Sequence, residues 1–212
     1  MIHELRMYTC RPGTIPAVLD ASGTVARRIR GGDEHGVLEG HFSSEIGKLN
    51  QYIPLWAYDS VEAMLRLRGE LAAKPEWKAE YLPLIRPHML SQDVTILNPV
   101  LPMKPVEGEG HLYELRRYRL QPGKAPEWTA KMAEHMPARE KYSTNLGVWT
   151  TLWPDPNVVV HLWVYDSYEA RLEARAASQG DPDWKEFLGF AGPQIEEMHS
   201  MLLSPSPYSP RK

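Results

Sequence analysis

The sequence predicts an α+β protein made of two copies of one strand-and-helix plan, and three observations carry that prediction. "IHELRMYTCRPG" at residues 2–13 is written again as "LYELRRYRLQPG" at residues 112–123. "NQYIPLWAYDSVEA" (50–63) faces "NVVVHLWVYDSYEA" (157–170), and "KPEWK" (74–78) faces "DPDWK" (181–185). The matches keep their order, as a tandem repeat should. Each half also closes on a short apolar run and a proline, "VTILNP" (94–99) and "HSMLLSP" (199–205).

Periodicity sorts each half into elements, most clearly the second. The first strand is expected at about 111–120, and the Pro122-Gly123 turn leads into "PEWTAKMAEHMPAREKY", whose helix formers and apolar spacing predict a helix. "LGVWTTLW" and "NVVVHLWVY" are strand-like, joined by the turn residues of "PDPN". Asp166-Ser167 and Asp181-Pro182 are helix-start signals ahead of "YEARLEARAAS" and "DWKEFLGF", and a last strand is expected at about 198–203. That order, β-α-β-β-α-β, is the ferredoxin-like plan, whose helices cover one face of the sheet and leave the other bare. Two such sheets in one chain can bury their bare faces against each other and close toward a barrel without a second copy of the molecule.

The stretch "NPVLPMKPVEGEG" (98–110) has a linker's prolines and glycines, so the boundary is expected near Pro105. This gives a first domain over 1–105, a second over 106–204, and a flexible tail over 205–212 without a function of its own.

Composition narrows the function classes. The 212 residues are 42% hydrophobic and 24% charged, enough for a sizeable core, and the net charge of −3 with no basic block argues against a nucleic-acid partner. No run approaches the roughly 20 apolar residues of a membrane span. The N-terminus has no signal-peptide pattern, and the lone cysteine, Cys10, forms no intrachain disulfide, so a reducing, cytoplasmic location is expected.

Strand alternation divides the candidate residues between two faces. In "NVVVHLWVY" the face of Val158, Val160, Leu162 and Val164 is wholly apolar and is expected to meet the helices. The other face carries Asn157, His161 and Trp163, and its counterpart in the first half carries Asn50 and Trp56. On the opening strands Glu4, Arg6 and Tyr8, and likewise Glu114, Arg116 and Tyr118, share a face that is then expected to point between the sheets. Charges there cost several kcal/mol each unless paired or wet. Glu and Arg two apart can pair and Tyr can add a hydrogen bond, so the sets form either a structural polar ladder or the lining of a ligand cavity between the sheets.

The motif elements Tyr-Glu-Leu-Arg-x-Tyr (113–118), Ile-Gly-x-x-Asn-x-x-x-x-Leu-Trp-x-Tyr (46–58) and Pro-x-Trp (75–77, 182–184) resemble those of the NIPSNAP family, in two tandem domains over nearly the whole chain. His3 replaces the first Tyr in copy one, "LWPDPN" replaces "EIGKLN" in copy two, and only copy two has a His before Leu-Trp. The resemblance implies a fold of the dimeric α+β barrel superfamily, which includes small monooxygenases, isomerases and haem-dependent relatives working in a cavity on the bare sheet face. Eukaryotic NIPSNAP proteins are associated with mitochondria, vesicle traffic and mitophagy signalling, and the family supplies no settled catalytic residues.

Residue by residue, other chemistries lack support. The eight histidines show no metal-ligand spacing, and Asp33-Glu34-His35 with His41 reads as a solvated loop, so neither a metal nor a cofactor is expected. A lone His135 or His161 is more often packed than a haem ligand. There is no nucleophile elbow, P-loop or dinucleotide fingerprint, and Cys10, opposite Leu120 in the repeat, reads as a packing position.

Two readings stay open. In one, the cavity binds a small molecule, or converts it as a cofactor-independent oxygenase or isomerase. Arg6 or Arg116 would hold an anionic group, Asn50 or Asn157 and Tyr118 would orient it, Trp56 or Trp163 would stack on it, and His161 would serve as general base. In the other, the protein is a non-catalytic scaffold with a side-chain-filled barrel, its partners, further copies of the chain included, meeting the outer helices.

Overall fold

Each opening strand leaves its sheet through a Pro-Gly turn, and the glycine explains why that dipeptide is written twice. Gly13 and Gly123 both have φ +80°, a left-handed conformation that side chains with a Cβ resist. The computed structural model describes residues 1–212 as two compact units, Met1–Ile96 with Ser204–Lys212, and Leu97–Leu203.

In the first unit β1 (Ile2–Cys10) leads into α1 (Ile15–Ala21), which continues through a π-helical turn, Ser22–Ala26, into the short α2 (Arg27–Ile29). β2 (Val37–Ile46) and β3 (Gln51–Tyr58) follow, then α3 (Val61–Ala73), a second π-helical turn (Trp77–Tyr81), α4 (Leu82–Ile85) and β4 (Met89–Leu101). The second unit runs β5 (Leu112–Leu120), α5 (Ala125–Glu140), β6 (Thr144–Trp153), β7 (Val158–Tyr165), α6 (Tyr168–Ser178), α7 (Pro182–Ala191) and β8 (Ile195–Pro205). β3 lies antiparallel between β1 and β2. The second sheet has the order β8-β5-β7-β6, antiparallel throughout. The register slips at matching places, between Leu38 and Gly40 and between Asn145 and Gly147.

Helix starts follow the local chemistry. Ser60 and Ser167 accept the backbone N–H of Ala63 and Ala170, each at 3.1 Å, and Asp181 accepts those of Asp183 and Trp184. These satisfy donors that a helix start otherwise leaves orphaned. No helix is long and apolar enough to cross a membrane.

The compact units differ from the repeats. The chain crosses between units at Ile96/Leu97, inside β4, and returns at Leu203/Ser204, inside β8. Pro105, the expected boundary, therefore lies within the second unit.

The faces of the strands are also the reverse of the expected ones. Val159, Trp163 and Tyr165 of β7, with Tyr118 and Leu120 of β5, pack in one cluster with the helix residues Trp128, Met132, Met136, Trp184, Phe187 and Ala191. In the first unit Cys10 and Tyr52 pack likewise with Val18, Ala21, Ile29 and Ile85. The Glu-Arg-Tyr sets thus face the helices of their own unit. Val160 and Leu162 on the opposite face are buried too, as are Leu5, Ile53 and Leu55 in the first sheet. Alternation separates two faces without saying which one the helices take. The polar face is tolerable under the helices because they bring arginines to it.

The C-terminal residues expected to be a flexible tail are docked. Ser206 Oγ lies 2.6 Å from His41 Nδ1, the His41 backbone N–H donates to Ser209 Oγ at 3.2 Å, and Arg211 pairs with Glu39. Ser206 and Ser209 are buried. Removing residues 206–212 strips those partners from His41, at about 1–3 kcal/mol for a buried polar group left unsatisfied. A urea melt of the truncated chain is expected to show a midpoint lowered accordingly, whereas an unchanged midpoint would return these residues to the status of a loose end.

Candidate functional site

Burying a carboxylate under helices is costly, and in each unit arginines meet that cost. Glu114, fully buried on β5, receives Arg116 at 2.9 Å, Arg171 at 2.7 Å and Ser200 at 2.6 Å, with Arg175 at 3.8 Å and the Tyr165 hydroxyl at 3.4 Å. Burial pushes its carboxyl up, but the Arg171 hydrogen bond, the Arg116 charge and the Ser200 hydrogen bond outweigh that and hold it at about 2. Glu4 repeats the plan, with Arg6 at 2.6 Å, Arg68 at 2.8 Å and the Tyr58 hydroxyl at 3.4 Å. In both units the arginine two residues on also donates through Nε to a tyrosine hydroxyl, Arg6 to Tyr8 and Arg116 to Tyr118.

Beside the Glu114 network lies a cavity of about 310 Å3, open on one side, between the sheet and helices of the second unit. Arg116, Tyr118, His161 and Trp163 come from the sheet, Trp128, Met132 and Arg139 from α5, Arg175 from α6, and Trp184 and Phe187 from α7. Its lining includes three arginines and no carboxylate. Glu114 is already shared among Arg116, Arg171 and Arg175. Arg139, only 4% exposed, has neutral partners instead: Ser143 Oγ at 2.6 Å, the Tyr165 hydroxyl at 3.5 Å and the ring of Trp163 at 4.5 Å. The result is an apolar, aromatic pocket with a positive charge at its wall.

His161 is held in one tautomer. The Trp163 indole N–H, which can only donate, meets His161 Nδ1 at 2.6 Å, so the ring proton sits on Nε2. Burial, then the charge of Arg116, keep the imidazole well below its usual pKa and therefore neutral. Its Nε2 is buried without a partner. A general base needs a free lone pair, and the only one on this ring is occupied; the side chain is arranged as a neutral donor.

The structure thus brings Arg116, Tyr118, His161 and Trp163 together around one cavity, and Arg6, Tyr8 and Trp56 around another in the first unit. Glu4 and Glu114 anchor the arginines. Asn50 and Asn157 belong to turns: Asn50 adopts φ +56°, and Asn157 Oδ1 accepts the Gly123 N–H at 2.9 Å while its own N–H groups bond Asp155. Arg30, Arg68, Arg139, Arg171 and Arg175 escaped the sequence reading because they lie on or beside helices. One signal existed: Arg68 and Arg175 occupy the same place in the aligned "DSVEAMLRLRGE" and "DSYEARLEARAA". No group of three or more His, Cys, Asp or Glu side chains is placed to hold a metal.

Comparison with known proteins matches the NIPSNAP family to residues 3–102 and again to residues 113–210. The chain belongs to the NIPSNAP family. This NIPSNAP protein is 27% identical over 210 residues to the NipSnap homolog of Dictyostelium discoideum, covering 96% of this chain and 87% of that one. It is 26% identical over 217 residues to human NipSnap homolog 3A, covering 100% of this chain and 86% of that one. It spans only 40% of a NipSnap protein of Caenorhabditis elegans that is also 26% identical. Among solved structures, a proposed monooxygenase from Lactobacillus acidophilus NCFM matches with a TM-score of 0.70 at 14% identity, over 96% of this chain and 93% of that one. An anthrone oxidase-like protein matches with a TM-score of 0.63 at 14% identity, over 97% and 91%. At such identities the likeness is one of fold.

The Glu114 network makes stability pH-dependent in a stated direction. Its folded-state pKa lies below that of an unfolded glutamate, so its contribution is complete above about pH 5 and fades as pH falls through about 2. That contribution is on the order of 3 kcal/mol. Urea melts from pH 6 to pH 2.5 are expected to show a decline that Glu114→Gln flattens; parallel declines in the two proteins would remove Glu114 as its source.

Proposed function

We propose that this NIPSNAP protein binds a small molecule with an anionic group on a flat apolar body, in the cavity between the sheet and helices of the second unit. The observation that carries the reading is Arg139, a buried guanidinium at the cavity wall with no carboxylate partner. The nearby charge of Glu114 reaches Arg139 only at a distance, and a buried cation without a directly paired anion is costly, so a ligand carboxylate, sulfonate or phenolate would supply one. The Nε2–H of His161 is a second donor for the same group, and Trp128, Trp163, Trp184 and Phe187 offer faces for a planar ring. A cavity of about 310 Å3 suits a ligand of one or two rings.

Conversion of the ligand, as by a cofactor-independent oxygenase or isomerase, is the further step that the fold of the monooxygenase-like relatives suggests; fold likeness names no reaction. The ferredoxin-like plan is supported by the strand order in the second unit. Closure of the two halves into an intrachain barrel is proposed from the apolar, buried second face of each sheet, which requires cover. A reducing, cytoplasmic setting is supported by the single cysteine.

The test is titration calorimetry with 1-naphthoate as the probe. One equivalent is expected to bind, Arg139→Gln is expected to weaken it about tenfold or more, and His161→Phe to weaken it less. The neutral analogue 1-naphthamide should bind more weakly than the acid. If 1-naphthoate does not bind, or binds equally to Arg139→Gln, the scaffold reading takes its place.

A further inference from the structure

The first unit has its own cavity, of about 250 Å3, between its sheet and its helices. It is the repeat's counterpart of the one in the second unit, yet its chemistry differs. Arg6, Arg30, Arg68 and Arg86 line it, and no carboxylate does. Glu4, the acid nearest to them on β1, already takes Arg6 on one oxygen and Arg68 with the Tyr58 hydroxyl on the other. Arg30 remains. It is 3% exposed, sits over Trp56 with its guanidinium carbon 3.6 Å from the ring centroid, and its Nε has no hydrogen-bond partner. Stacking engages the face of the guanidinium and the Tyr58 hydroxyl takes part of its edge, which leaves the Nε–H as an unmet donor.

The body of this cavity is also more polar. Tyr52 stands where the second unit has Val159, Pro54 where it has His161, and Ser22, Tyr81, Arg86 and Gln92 occupy positions around the rim and wall. Tyr52 stacks on Tyr8 with ring centroids 5.4 Å apart, and Ser22 Oγ lies 2.9 Å from the Tyr81 hydroxyl. Arginine donates and cannot accept, so a wall of this kind calls for a ligand rich in acceptors. Two of its cations, buried Arg30 and exposed Arg86, are committed to no carboxylate.

We propose that the cavity of the first unit is a second, independent binding site, selective for a small polar organic anion carrying more than one acidic group. Its main contact is the Nε–H of Arg30, with Arg86 as the outer cation. The two halves of the chain thus hold the same electrostatic device tuned to different ligands, an apolar planar anion in one and a polar polyanion in the other.

The experiment is titration calorimetry of the full chain with citrate as the probe, in the wild type and in the Arg30→Gln, Arg86→Gln and Arg139→Gln variants. Citrate is expected to bind the wild type, to lose about tenfold or more in affinity with Arg30→Gln, to lose a smaller factor with Arg86→Gln, and to be indifferent to Arg139→Gln. Saturation with 1-naphthoate should leave citrate binding unchanged. Near-ultraviolet circular dichroism checks that Arg30→Gln is folded; if it is not, the exposed Arg86→Gln decides. Absence of citrate binding overturns the proposal, and so does binding that Arg139→Gln abolishes while Arg30→Gln and Arg86→Gln leave it intact. If citrate binds through Arg30 while 1-naphthoate fails to bind, the second site stands and the proposed function of the second unit falls.

Discussion

The structure turns on a buried glutamate in the opening strand of each repeat. Glu4 and Glu114 sit beneath helices, where an unpaired carboxylate would cost several kcal/mol. That cost fixes what surrounds them: an arginine two residues on along the same strand face, a tyrosine hydroxyl from the neighbouring strand, and arginines delivered by the following helix. The helices dock in one orientation because their arginines have one carboxylate to reach.

The same requirement produces the cavities. Each unit collects more guanidinium groups than one glutamate can serve, and the surplus arginines, Arg30 and Arg139, find aromatic faces in place of carboxylates. Arg30 keeps an unmet Nε–H, and Arg139 meets only the neutral Ser143 and Tyr165 hydroxyls, so each leaves a positive charge beside its cavity that no carboxylate pairs. Structural and ligand-binding roles, which look like alternatives in the sequence, therefore divide between different arginines: Arg6 and Arg116 hold the glutamates, and Arg30 and Arg139 face the space left over. Duplication preserved the scaffold while single substitutions, Pro54 against His161 and Tyr52 against Val159, changed what the scaffold surrounds.

His161 shows how context alters the chemistry a residue type suggests. An imidazole near a cavity invites the role of base, yet its neighbour two positions along the strand, Trp163, supplies a donor to the ring nitrogen that a base would use. Burial and the nearby arginines keep the ring neutral. What remains is a fixed donor, suited to holding an anion.

By itself the sequence determined the repeat, the order of strands and helices, the helix starts at Ser167 and Asp181, and the family. These depend on local patterns, namely period-two and helical spacing, capping side chains and Pro-Gly turns, all written within a few residues. It also identified Arg6, Arg116, Tyr118, Trp56, Trp163 and His161 as residues of one strand face. Only the tertiary structure decided which face the helices cover, since alternation is symmetric between the faces, and so placed the cavities within each unit beneath its helices. Only packing could bring in Arg30, Arg68, Arg139 and Arg175, which are distant in sequence from the glutamates and aromatic rings they meet. The docking of residues 206–212 is of the same kind, because the partners that hold Ser206 and Ser209 lie at His41, far back along the chain.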